Sequence, residues 1–370
     1  MRSLNPRPES GDADAGSDDD ADEGAVMVWV ALMIVVLLGV GALVIDVGAL
    51  LVERRQLQNG ADAAALAVAQ DCASGSCGSG GGSAIAKQYA DLNAGDDVSA
   101  IGSGTPCGVG PGLSSCAEPA PPGATGATGW VRVNTSTETP DGGDEVSFLL
   151  APLISALTGK TVNAGAVAAW GPATAAATLP FTYSICEFFR GGPATNGIPQ
   201  DPVTIYSKAG PGNKEPVVEG CERSSSGGTV EGGFGWLSVS GGACTVNLTI
   251  GDTITGPSDP GNDNLLKKSP CSEKLVQGET VLLPLFSDVQ GTGANAVYTI
   301  GGFVGFDITN YHLSGSSYPT KGWRCPPPPA AKGGTGNLRC FRGTFTEMYI
   351  DAGDFGGSTD FGVRVIKMVG

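Results

Sequence analysis

Ten cysteines are the residues whose type and spacing point most directly to chemistry: Cys72, Cys77, Cys107, Cys116, Cys186, Cys221, Cys244, Cys271, Cys325 and Cys340. None forms a CxxC pair, so neither a zinc knuckle nor a thioredoxin-like redox centre is indicated. The chemistry left to them is cross-linking. Pairing of sequence neighbours suggests Cys72–Cys77, Cys107–Cys116 and Cys325–Cys340, with Cys186, Cys221, Cys244 and Cys271 supplying two more bridges, although spacing alone does not fix connectivity. Each bridge would contribute about 2–4 kcal/mol by restricting the unfolded chain.

The other reactive constellations are incomplete. His312 is the only imidazole, which makes a zinc site hard to assemble, and no GxSxG elbow accompanies it for a Ser-His-Asp triad. Gly159-Lys160-Thr161 mimics the end of a phosphate-binding loop, but Ile154 stands where the motif needs its first glycine. Gly291, Gly293 and Ala296 mimic a dinucleotide fingerprint, yet lead toward a β-like segment that offers no helix amino terminus to a phosphate. Asp96 and Asp97 read as solvated loop charges. Asp259, Asn262, Asp263 and Asn264 lack the spacing of a calcium loop and read as turn residues. The expectation is no catalytic, metal-binding or cofactor-binding residue, no cofactor and no small-molecule substrate.

The elements that would carry the cysteines belong to an unusual chain. Its 370 residues include 59 Gly and 25 Pro, and only 16% are charged. Ordinary domains carry about 25% charged residues. The hydrophobic fraction of 41% nevertheless allows packed domains. The net charge of −16 repels phosphate backbones and excludes nucleic acid as the expected partner. Eight acids and two arginines fall in residues 1–24, whose run Asp18, Asp19, Asp20, Asp22, Glu23 reads as a solvated, disordered tail.

Ala25 to Ile45 is 21 residues without a charge. About 20 apolar residues cross a bilayer core as a helix. A cleaved signal would have a shorter apolar core and a basic front, so an uncleaved anchor in the lipid bilayer is expected. Arg54 and Arg55 after the span would place the carboxyl side in the cytoplasm by the positive-inside rule. All ten cysteines also lie on that side, and an even count suggests an oxidising compartment, so the body is placed outside the cytoplasm.

The helix continues beyond the span, with no Pro as far as Asp71. A rod from Ala25 to Asp71 would measure about 70 Å. Leu57, Ala61, Ala64 and Val68 share one face. That small-residue face suits either a partner helix or the protein's own outer domain, and both alternatives stand.

The Gly/Ser-rich Cys72–Ser83 reads as a flexible link and Ala84–Asn93 as a short helix. Gly102–Gly129 reads as a long loop. Trp130–Thr135 and Thr161–Trp170 read as strands. Glu145–Leu157 is ambiguous; its apolar part could be a second helix but is too short, and too interrupted by Pro152, to span a membrane. Further strands are expected at Phe181–Phe188, Val203–Tyr206, Gly235–Val239, Cys244–Ile250, Thr280–Phe286, Val297–Ile308, Leu338–Ile350 and Phe361–Met368, with Trp323–Pro329 as an exposed polyproline-type loop.

The stretch from Gly24 to Ala69 resembles the amino-terminal module of TadG-like proteins of the Tad (tight adherence) machinery, which assembles Flp pili in bacteria. The matching pattern is a Gly-Ala start, the apolar span, Asp46-Val47-Gly48, Glu53-Arg54-Arg55, Leu57-Gln58-Asn59 and Ala61-Asp62-Ala63-Ala64-Ala65-Leu66-Ala67. Looser likenesses at Val162–Ala173, Leu179–Phe189, Thr280–Phe286 and Tyr298–Leu313, with Cys325 and Cys340, resemble actinobacterial TadG-like proteins. The resemblance implies a single-pass membrane protein with an exported body, pilus or envelope proteins as partners, and no catalysis. Given a bacterial family, the glycosylation sequons at Asn134 and Asn247 read as chance. No DxSxS metal motif of the von Willebrand A type is present, and Trp29 stands where a pilin cleaved after Gly24 would carry glutamate.

The expected fold class is α+β: one transmembrane helix extended into a rod, then a β-rich, antiparallel, disulfide-braced exported domain. The expected division is an acidic tail over residues 1–24, helix and rod over 25–71, a Gly/Ser/Pro-rich linker with a short helix over 72–129, and the β domain over 130–370.

Overall fold

A computed structural model describes residues 19–77, 80–153, 156–189, 194–195, 197–206, 234–238, 244–256, 280–290, 296–313, 316–318, 320, 322–326, 339–351, 353–356 and 359–370. Residues 1–18 of the acidic tail, the Asp259–Asn264 group and Gly291 and Gly293 lie outside them.

Helix α1 runs Asp19–Ala73. It begins six residues before the apolar run, and acids at a helix amino terminus complement the helix dipole. From Val26 to Ile45 almost every large side chain is at least half exposed. From Leu57 onward the helix is different: Leu57, Ala61, Ala64, Ala65, Val68 and Ala69 are buried. The small-residue face therefore packs on the protein's own body, the second of the two alternatives its spacing allowed.

That body is a stack in which α1 covers one face of a first sheet and a second sheet covers the other. The first sheet has the order Ala100–Ile101, Gly129–Ser136, Asn163–Pro172, Val363–Met368 and Met348–Ile350, with Cys107–Val109 also on Gly129–Ser136. Period-two alternation divides its residues. Val131, Val133, Ala166, Ala168 and Trp170 pack with the helix alanines. Trp130, Val167, Ala169, Val363 and Val365 pack with Leu282, Phe286, Ile300 and Phe303 of the second sheet.

The second sheet has the order Val203–Tyr206, Cys340–Thr346, Val297–Leu313, Thr280–Gln290, Phe181–Ser184 and Phe234–Trp236. Thr253–Thr255 and Ser316–Tyr318 also pair with its longest strand, Val297–Leu313. Its far face buries Phe181, Leu283, Leu285, Val304, Phe306, Phe341 and Phe345. Phe181 and Phe341 stack with centroids 4.6 Å apart.

The chain is thus an amino-terminal helix followed by a β-rich, disulfide-braced body. Three local expectations differ from it. The sheets are mixed, because Met348–Ile350 pairs parallel with Val363–Met368 and Thr280–Gln290 parallel with Phe181–Ser184. Phe181–Phe188 is a strand only to Ser184; a helical turn, Ile185–Phe188, then drops Phe188 into the core against Phe345 and Phe361. The described residues of Glu145–Leu157 form no long helix. Val146–Ser147 pairs with Gly159–Lys160 around a short 3-10 turn, Ala151–Leu153. Pro152 has no N–H to extend an α-helix there.

Helix α2, Ser83–Asp91, crosses α1 at Gly60, where an added Cβ would stand 3.2 Å from the Ala90 carbonyl oxygen. Glycine is thus the residue that lets the two helices approach. Residues 72–129 hold this helix, and they also place Ala100–Ile101 and Cys107–Val109 in the first sheet.

Candidate functional site

The seam between α1 and the body collects polar contacts at several heights along the helix. At its top, Arg364 Nη1 donates to the Ala73 carbonyl at 2.6 Å, one of the carbonyls a helix end leaves without a partner. The same guanidinium meets Asp360 at 2.6 Å and Glu347 at 3.3 Å. Lower down, Gln58 donates to the Gly165 carbonyl at 3.2 Å, and the Thr135 hydroxyl donates to the Leu57 carbonyl at 2.9 Å. Gln56 accepts from the Gly95 N–H. Burial pushes the Glu53 carboxyl above its ordinary pKa; a hydrogen bond from Thr137 opposes the rise and Asp96 adds to it.

The lowest of these hydrogen bonds, among the described residues, are at Asp46, the first charged residue after the apolar run and itself buried. Its carboxylate accepts the N–H groups of Leu149 at 2.9 Å, Leu150 at 3.3 Å and Ala151 at 2.6 Å. Three successive amides converging on one carboxylate form an anion nest, here closed by a side chain. The carboxylate also supplies acceptors for the amides that open the 3-10 turn.

An open polar groove of about 730 Å³ lies beside the seam, lined by Arg54, Gln58, Ser103, Asn134 and Asn163 among others. Arg54 is its charged residue, the rest offering hydrogen bonds.

The sequence candidates lie elsewhere. Cys72 and Cys77 are joined at the end of α1, Cys107 in the first sheet is joined to Cys116, and Cys325 to Cys340 at the start of an interior strand of the second. Cys186 and Cys244 are also disulfide-bonded, while Cys221 and Cys271 lie outside the described residues. Gly159-Lys160 forms one strand of the short hairpin. Asp96 and Asp97 follow α2, Asp96 accepting from the Val98 N–H.

His312 sits near the end of Val297–Leu313 with Nδ1 2.7 Å from the Ser317 hydroxyl and Nε2 3.1 Å from an Arg324 guanidinium nitrogen. Burial, then Arg324 and Arg339, lower its pKa. The folded state therefore binds this proton less readily than the unfolded chain. The stability it contributes is present above the unfolded pKa, about 6.5, and is lost as pH falls below that value through the lower folded pKa. Thermal melts should drop as pH falls below about 6.5, and His312→Gln should flatten that dependence; an unchanged profile in the variant would assign the loss to other groups.

Sequence reasoning missed Asp46 and Arg364 as anchors. The available signal was the same for both: a lone charge beside apolar residues, Ile45-Asp46-Val47 and Val363-Arg364-Val365.

The apolar half of α1 is long and apolar enough to cross a membrane, with an 18-residue window of mean hydropathy 3.0 that is 6% buried. No curated protein and no solved structure matches the chain. The exposed apolar run, Asp46, Glu53 and the alanine seam all fall within residues 24–71, and that segment matches the Tad family, described as "Putative Flp pilus-assembly TadE/G-like".

Proposed function

We propose that this is a non-enzymatic, single-pass membrane protein of the Tad/Flp pilus assembly type, whose helix holds an extracytoplasmic β body against pilus or envelope components. The observation that carries the reading is the division of α1 into an exposed apolar half and a half locked under the first sheet. A helix seated in lipid and continued without a break into the body positions that body rigidly; the seam bonds from Asp46 to Ala73 prevent it from swinging about the helix. In this division of labour residues 25–71 form the anchoring module, residues 72–129 the connection and residues 130–370 the presented domain. The cysteines brace the connection and that domain, and they favour an oxidising compartment.

Thiol labelling of intact cells tests the placement. With a membrane-impermeant maleimide, the full chain should label only after reductant, and from outside. Labelling without reductant, and only after permeabilisation, would put the body in the cytoplasm.

One observation favours a second reading, a minor pilin-like subunit: the exposed apolar face of α1 surrounds the helix from Val26 to Val40, which suits a bundle of copies as well as lipid. Trp29 in place of glutamate weighs against it. Mass determination of the mature amino terminus separates the two, since a fibre subunit would begin at Ala25.

A further inference from the structure

We infer that the described part of the hairpin loop, residues 147–153 and 156–158, is a second membrane contact, an apolar foot that rests in the interface of the leaflet from which α1 emerges. This rests on the reading of residues 25–45 as the span.

Height is the first argument. The body descends along α1 from Arg364 at Ala73, through Thr135 at Leu57 and Thr137 at Glu53, to Leu149, Leu150 and Ala151 at Asp46. Eleven residues separate Leu57 from Asp46, about 16 Å of helix. Among the described residues, the lowest of these contacts is therefore beside the residue that directly follows the apolar run, and α1 in the membrane brings the loop to the lipid surface.

Surface chemistry is the second. Leu149 is 71% exposed and Leu157 62%. Neither leucine belongs to a core cluster of the body. Pro152 is exposed between them.

Backbone satisfaction is the third. Loops are excluded from apolar media because their N–H groups lack partners. Here Asp46 takes three consecutive N–H groups, the Phe148 N–H donates to the Thr158 carbonyl, and Val146–Ser147 pairs with Gly159–Lys160. The Leu149–Ala151 amides turn inward to the helix while the Leu149 and Leu157 side chains are exposed. Asp144 and Glu145 at one base of the hairpin are exposed, as is Lys160 opposite them. Charges at this spacing limit the foot to headgroup depth, and a loop of this length is too short to cross.

The experiment uses the full wild-type chain in phosphatidylcholine nanodiscs containing a lipid with a photoactivatable diazirine in its upper acyl chain, with adducts mapped by mass spectrometry. Adducts are expected in two separate segments, within residues 26–45 and within 147–158. Adducts in 26–45 alone would overturn the foot and leave the span intact. Adducts in neither would overturn both. Leu149→Asp with Leu157→Asp should remove the loop adducts and keep those of the span; loop adducts of undiminished yield in this variant would mean that the leucines are not what touches lipid.

Discussion

Arg364→Met lowers the folding free energy by about 3 kcal/mol, read as a shift of the denaturation midpoint in detergent with an unchanged slope. The side chain is buried, yet it carries a charge shared by three acceptors: the Ala73 carbonyl, Asp360 and Glu347. Methionine fills a similar volume but leaves the helix-end carbonyl without its donor and two carboxylates without their cation, although Asp360 keeps the Gly362 N–H and Glu347 the Tyr349 hydroxyl. The cost comes from those stranded groups, because losing one member of a buried charge set is far worse than replacing the set. Asp360 and Glu347 remain partly exposed, which holds the effect toward the lower end of the usual 3–5 kcal/mol for buried pairs. Arg364→Lys should fall between, since an ammonium cannot reproduce the fork that reaches helix end and carboxylates together. A methionine variant within about 0.5 kcal/mol of wild type would show that Arg364 does not hold the top of the seam.

Arg364 also shows where the sequence stops being readable. Its strand alternates, with Phe361, Val363 and Val365 at period two, and alternation normally means one wet face. The other face is dry here because α1 lies across it, packing near Ile366 and Met368. Nothing local to the strand announces a helix nearly 300 residues earlier. The helix itself was legible, because an uncharged run followed by good helix formers has few alternatives. Its alanine face was legible as a contact face but not as to its partner, since small residues suit a second helix and a flat sheet equally. The strand ladder from Val297 was legible from β-branched and aromatic content, whereas the turn at Ile185 was not, because Phe188 becomes core only when Phe345 and Phe361 arrive beside it. Glu145–Leu157 misleads for the opposite reason. Its apolar side chains imitate a core helix, but the amides that would build one are taken by Asp46.

Asp46→Ala therefore has the second large effect, and a local one. Three amides lose a charged acceptor, and hydrogen bonds to charged groups contribute about 1.5–3 kcal/mol each when their loss leaves a donor unsatisfied. Released, the loop can turn some of these donors to water, so a net loss of about 3 kcal/mol is expected for the hairpin. Hydrogen exchange at Leu149, Leu150 and Ala151 should then quicken by about 100-fold, at 1.4 kcal/mol for each factor of ten. The global midpoint should move little, because Thr135, Gln58 and Arg364 hold the seam above. Asp46→Asn keeps one oxygen and introduces an N–H facing the same amides, so it should give a smaller acceleration. Exchange unchanged in Asp46→Ala would mean that packing, and not the carboxylate, fixes the loop. Exchange accelerated throughout the first sheet would mean that the hairpin and the body unfold as one unit, making the base of the helix an integral part of the fold and not a clasp added to it.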